Sequence, residues 1–147
     1  MTSTCMAGRC DNAMTIYFAD TFYFLAMLNT ADAFHKRAME FNAVSAAILV
    51  TTTWVLTEVA DALSAPKYRQ LFVDLMDAID NQPGIHVVPS DHELFVDGCI
   101  LYKQRSDKSW SLTDCISFVV MEDKHIREAL TADRHFEQAG FVALFAS

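Results

Sequence analysis

Apolar positions along this chain change period several times, and each change marks an element. Thr15 to Ala19 is a short β-branched and aromatic run that ends on Asp20. It reads as a buried strand with a carboxylate at its carboxyl end. Thr21 to Leu28 then fits a short helix with Asp20 as its N-cap. Phe34, Ala38 and Phe41 share the face of a second helix over 32–41. The β-branched stretch Ala47 to Thr52 predicts another strand. Leu56, Val59, Ala60 and Leu63 mark a helix over 54–63. Pro66 suits the first turn of a further helix running to about Ile79. Its apolar residues Tyr68, Leu71, Phe72, Leu75, Met76 and Ile79 form the cleanest amphipathic stripe in the chain.

Pro83-Gly84 breaks that pattern, and Ile85 to Val88 reads as a short strand. A helix is expected from Asp91 to about Tyr102, followed by a polar, basic loop from Lys103 to Trp110. Leu112, Cys115, Ile116, Val119 and Val120 share one face of the next helix. A strand over 128–132, a short helix over 134–138 and a last strand over 140–144 complete the chain. Strands alternating with helical segments predict an α/β fold, with a mainly parallel sheet covered by helices on both faces.

The length of 147 residues suits one domain, and a hydrophobic content of 52% supplies a core. Met1 to Ala13 lacks both periodicity and an apolar signal-like region, so residues 1–13 are expected to be a flexible extension of a domain spanning 14–147. No uncharged apolar run approaches the ~18 residues of a membrane span. Cys5, Cys10, Cys99 and Cys115 include no C-x-x-C pair, which disfavours zinc and suits a reducing cytoplasm. The net charge of −8 argues against a broad phosphate-tracking surface. It leaves room for a carboxylate site whose field is reversed by bound cations.

Four acids stand at suggestive positions. Asp20 ends the first strand, Glu58 lies on a largely apolar helix, Asp114 opens the helix after the basic loop, and Asp133 follows the strand around Leu130. Each has a structural explanation. Asp20 and Asp133 fit helix N-caps, and Ser111-Leu112-Thr113-Asp114 fits a capping box. Glu58 is the hardest to explain without a partner, because a carboxylate on a buried helix face is costly unless paired. On residue chemistry alone, a joint metal site and a set of separate caps both stand.

The segments Ile16 to Thr21, Thr53 to Val59, Trp110 to Phe118 and Leu130 to Phe141 together resemble the PIN-domain nucleases, in particular the VapC-type ribonuclease toxins of prokaryotic toxin–antitoxin systems. The resemblance covers the chain from about Met14 onward. It implies a three-layer α/β/α sandwich and carries the family's four acids onto Asp20, Glu58, Asp114 and Asp133. These would be catalytic residues and ligands of one or two Mg²⁺ or Mn²⁺ ions, with Thr21 and Thr113 in support. The implied reaction is metal-dependent hydrolysis of RNA phosphodiesters. The implied partners are RNA, a second copy in a homodimer, and a cognate antitoxin; no membrane is implied.

Lys103, Arg105, Lys108 and Arg134 lie beside the third and fourth acids and are candidates for guiding an RNA backbone, with a solvated surface as the alternative. Trp110 suits either base stacking or packing, and the five histidines show no spacing that demands a role. The helices over 32–79 are the expected interface region. A PIN-like module that binds RNA or protein without catalysis is the main alternative function. A receiver domain would need a Lys after a late strand, and a haloacid dehalogenase-type phosphatase would need Asp where Phe22 stands.

Overall fold

The computed structural model describes residues 14–146. The extension expected over residues 1–13 lies outside the described residues. Five strands form one sheet: β1 Ile16–Ala19, β2 Ile48–Thr52, β3 Ile85–Val88, β4 Glu128–Leu130 and β5 Val142–Ala143. Their order is β3-β2-β1-β4-β5, and every adjacent pair is parallel. Seven helices flank the sheet among the described residues: α1 Thr21–Leu28, α2 His35–Val44, α3 Thr53–Ala62, α4 Arg69–Asn81, α5 His92–Gln104, α6 Leu112–Asp123 and α7 Arg134–Gln138. This is the three-layer α/β/α sandwich with a parallel sheet.

The first strand is the middle strand. Phe18 and Ala19 are fully buried there, so the apolar run that follows Met14 becomes the centre of the core. The chain moves outward on one side through β2 and β3, then returns to the other side for β4 and β5. The gap between the carboxyl ends of β1 and β4 is therefore a topological switch point, where open parallel sheets place ligands. Helices cover both faces because a parallel sheet must bury both.

Boundaries differ from the sequence expectation where local chemistry decides them. The second helix begins three residues later than expected, at His35, because Asp32 Oδ1 accepts from Phe34 N–H in a turn that precedes it. The helix α5 continues through Lys103 and Gln104, shortening the basic loop to a turn from Arg105. The stripe on α4 is only partly covered by its own chain: Ile79 is buried, whereas Leu71, Phe72, Leu75 and Met76 are half-buried. Trp110 is packing: it is 6% exposed, donates from Nε1 to Gln138 Oε1 at 2.9 Å and meets Phe118 edge-on. Among the described residues, no helix is long and apolar enough to cross a membrane.

Two contacts seat the helices that frame the switch point. Phe136 of α7 is fully buried between Phe118 of α6, with ring centres 5.0 Å apart, and Phe18 of β1. Gly98 of α5 lies directly against Ile116 of α6, where a Cβ would collide with the Ile side chain. Gly98→Ala gains about 1 kcal/mol of helix propensity, but overpacking of about 1–3 kcal/mol should outweigh it. Urea denaturation is expected to show a net loss of stability.

Candidate active site

The register of the sheet builds the floor of the site. Ala19 pairs with Leu130, so the next residues, Asp20 and Thr131, emerge side by side. Thr131 is fully buried, and its Oγ1 donates to Asp20 Oδ2 at 3.0 Å while accepting from Asp133 N–H at 3.1 Å. One hydroxyl thus links the first and fourth candidate acids. Asp20 occupies the N-cap position of α1, yet its side chain makes no capping hydrogen bond. Its backbone carbonyl accepts from Tyr23 N–H instead. The carboxylate is 6% exposed and faces the other acids.

The remaining groups arrive on helices. Thr52 caps α3 through Val55 N–H, starting the helix at the sheet edge and placing Glu58 one and a half turns in. Glu58 is half-buried and accepts from the hydroxyl of Thr21. Ser111 and Asp114 close a reciprocal capping box at the start of α6. Asp114 Oδ2 accepts from Ser111 N–H at 3.1 Å and also lies 3.0 Å from His135 Nδ1. Asp133 caps α7 by accepting from His135 N–H at 2.9 Å.

These residues line one cleft of about 470 Å³, together with Phe22, Ser109 and Ala132. Asp20, Glu58, Asp114, Asp133 and Thr21 all reach it, and the lining contains no Lys or Arg. Thr113 does not line it; its carbonyl accepts from Ser117 Oγ within α6. Two residues that sequence spacing did not single out are present in structural roles. Thr131 bridges Asp20 and Asp133, and His135 contacts Asp114 and Asp133. Both lay inside the Leu130 to Phe141 motif, and His135, two residues after an N-cap, was placed to turn back on the capping site.

None of the basic candidates lines the cleft. Arg105 forks onto Asp107 through Nε at 3.0 Å and Nη2 at 3.2 Å, and its guanidinium lies over the Trp110 ring. Lys103 is exposed on α5. Lys108 precedes the cleft residue Ser109, and exposed Arg134 lies between Asp133 and His135.

Electrostatics make the cleft costly in the absence of a cation. Burial pushes the Asp20 carboxyl up to about 7. The charges of Asp114 and Glu58 act in the same direction, opposed by the hydrogen bonds from Thr131 and the Thr21 backbone. The donor chemistry fits a hard divalent ion. Carboxylate oxygens are its preferred ligands, and no Lys or Arg in the cleft lining competes for them. Donor atoms of Asp114, Asp133 and His135 lie within 4.8 Å of one another, a group that includes neither Asp20 nor Glu58, so the carboxylates of Asp114 and Asp133 can reach a common ion.

Comparison with solved structures supports the architecture. VapC20 of Mycobacterium tuberculosis, a sarcin–ricin loop cleaving toxin, superposes with a TM-score of 0.78 at 27% identity, over 88% of this chain and 98% of that one. VapBC2 from Rickettsia felis, bound to a DNA fragment from its promoter, has a TM-score of 0.61 at 10% identity and covers 88% and 97% of the two chains. FitAcB from Neisseria gonorrhoeae has a TM-score of 0.59 at 13% identity and covers 88% and 95%. No protein-family model and no curated protein sequence matches the chain.

The raised pKa of Asp20 sets a sign for stability against pH. The folded state holds this proton more tightly than the unfolded chain, so stability falls as pH rises from about 3.8 through about 7. Asn at position 20 cannot ionise. In EDTA, Asp20→Asn is therefore expected to be more stable than wild type at pH 8, on the order of a few kcal/mol, with the difference shrinking towards pH 4. Urea titrations across that range measure it, and a pH-independent difference would contradict the electrostatic origin. With both its motifs and its whole fold in agreement, the chain resembles the PIN-domain family in its VapC-type toxin form.

Proposed function

We propose that this protein is a divalent-metal-dependent endoribonuclease acting as the toxin of a toxin–antitoxin pair. The observation that carries the reading is the convergence of Asp20, Glu58, Asp114 and Asp133 on one cleft at the switch point, with no Lys or Arg lining it. The likeness to VapC20, a toxin that cleaves the sarcin–ricin loop, supports RNA as the substrate and makes that hairpin the first RNA to test.

In this reading Asp20, Asp114 and Asp133 hold Mg²⁺ or Mn²⁺, as one ion or two. Bound there, such an ion supplies positive charge to a phosphate oxygen and lowers the pKa of an attached water. Thr131 holds Asp20 in place through Oδ2. Thr21 orients Glu58, which takes part as a further ligand or directs the water. Lys108 and Arg134 adjoin cleft residues in sequence and suit contacts to the RNA backbone; Lys108 also lies 4.0 Å from Asp107, the residue that Arg105 forks onto. Residues 14–147 form the nuclease domain, and the half-covered stripe on α4 suits a homodimer or antitoxin contact. An acidic protein of this size without a membrane-spanning helix among its described residues suits the cytoplasm.

The test is cleavage of a sarcin–ricin loop hairpin by the purified chain. Activity is expected in Mg²⁺ or Mn²⁺ and should vanish in EDTA. Asp20→Asn and Asp114→Asn should each reduce it by at least about 100-fold, equivalent to roughly 3 kcal/mol of transition-state stabilisation, while circular dichroism stays native. Full activity in either variant would refute the assignment. Undiminished toxicity of Asp20→Asn in cells would favour the alternative, a module that acts by binding alone.

A further inference from the structure

Besides the capping hydrogen bond that its position on α7 calls for, His135 makes a side-chain contact that the position does not require. Its backbone N–H donates to Asp133 Oδ1 at 2.9 Å, and its ring Nδ1 lies 3.0 Å from Asp114 Oδ2 and 3.5 Å from Asp133 Oδ1. One residue therefore touches two of the four acids, which come from different helices separated by 19 positions of chain. The ring is held there by its neighbour: Phe136 is fully buried against Phe118 of α6, so α7 is anchored to the helix that carries Asp114.

The chemistry of the contact assigns its direction. An ionised carboxylate only accepts, so Nδ1 carries the proton and donates it. Oδ2 of Asp114 then receives two donors, Ser111 N–H from within α6 and His135 Nδ1–H from outside it. The capping box alone leaves the carboxylate free to turn about one contact. The second donor fixes its plane. Among the described residues, no hydrogen bond reaches Asp114 Oδ1 or Asp133 Oδ2, so His135 leaves each acid one unengaged oxygen. Ligation of a cation by Nδ1 itself would break this arrangement, and Mg²⁺ and Mn²⁺ prefer oxygen.

We propose that His135 is a positioning residue that, through Nδ1–H to Asp114 and N–H to Asp133, presents one free oxygen of each acid to a divalent cation. This rests on the metal-dependent reading above. Partners that orient metal ligands are typically worth 10–100-fold in affinity or activity.

Three variants test it, with Mn²⁺ binding followed by electron paramagnetic resonance in the absence of RNA and hairpin cleavage at saturating Mn²⁺. His135→Ala should weaken Mn²⁺ binding about 10-fold or more. His135→Asn places an amide N–H near the Nδ1 position and should restore the affinity to within about 3-fold of wild type. His135→Gln reaches the Nε2 position instead and should not. A merely structural role would lower metal-free stability without this Asn-over-Gln ordering. Unchanged Mn²⁺ affinity in the Ala variant, or equal behaviour of Asn and Gln, overturns the proposal while leaving the nuclease intact. If wild type neither binds Mn²⁺ nor cleaves RNA, the nuclease reading fails first. Should the Ala variant not fold, the Asn and Gln pair still decides.

Discussion

Like charge gathered at one point of the sheet is the constraint on which the rest depends. Four carboxylates line a cleft that contains no Lys or Arg, in a chain already carrying a net charge of −8. The burial of Asp20 opposes folding, and the charges of Asp114 and Glu58 add to it, together pushing its carboxyl up to about 7. The fold has to supply the energy that holds them together. It does so with the most buried part of the molecule: Phe18 and Ala19 directly before Asp20, Val55 and Val59 around Glu58, Cys115 and Ile116 after Asp114, and Phe136 after Asp133. Each acid is next to, or within three residues of, a side chain that cannot leave the core cheaply.

Placement comes from backbone rules rather than from attraction among the acids. Parallel register sets Asp20 beside Thr131, and the order reversal between β1 and β4 opens the space in front of them. Helix N-termini bring Asp114 and Asp133, with the favourable end of each helix dipole offsetting part of the charge. Capping and ligation therefore do not compete. A cap engages one carboxylate oxygen and leaves the other available, as Asp114 Oδ2 and Asp133 Oδ1 illustrate. Asp20 differs, because it holds an N-cap position without using its side chain as a cap. That failure to cap is the sign that its carboxylate is oriented by something other than helix stability.

Much of this was legible in the residues. The β-branched run before Asp20, the amphipathic stripe on α4 and the Ser111–Asp114 box each follow from local chemistry, and the structure reproduces them. The strand order was not legible, since periodicity carries no information about which strands pair. The roles of Thr131 and His135 were hidden for the same reason. Both depend on hydrogen bonds across 111 and 21 positions of chain, to Asp20 and Asp114 respectively. Trp110 and Arg105 illustrate the opposite case. Their place just before Asp114 made them candidates for base stacking and phosphate contact; in the structure Trp110 packs against Phe118, and Arg105 forms an exposed pair with Asp107.

An acidic protein proposed to cut RNA faces a field problem, and its geometry limits the solutions. At physiological salt, charges interact over about 8 Å, so the acids distant from the cleft do little to repel a bound hairpin. Within the cleft, the carboxylates would repel a phosphate until a cation reverses the local sign. Lys108 and Arg134 are next in sequence to residues that line the cleft, Ser109 for the first and Asp133 and His135 for the second. So few basic groups cannot follow a long backbone, because affinity through phosphate contacts grows with the number of charges neutralised. On the proposed reading, selection would then come from RNA shape at one short site. A folded hairpin presenting a single bond to the cleft would satisfy that requirement better than an extended strand, and metal binding would be a condition for engaging the substrate as well as for cutting it.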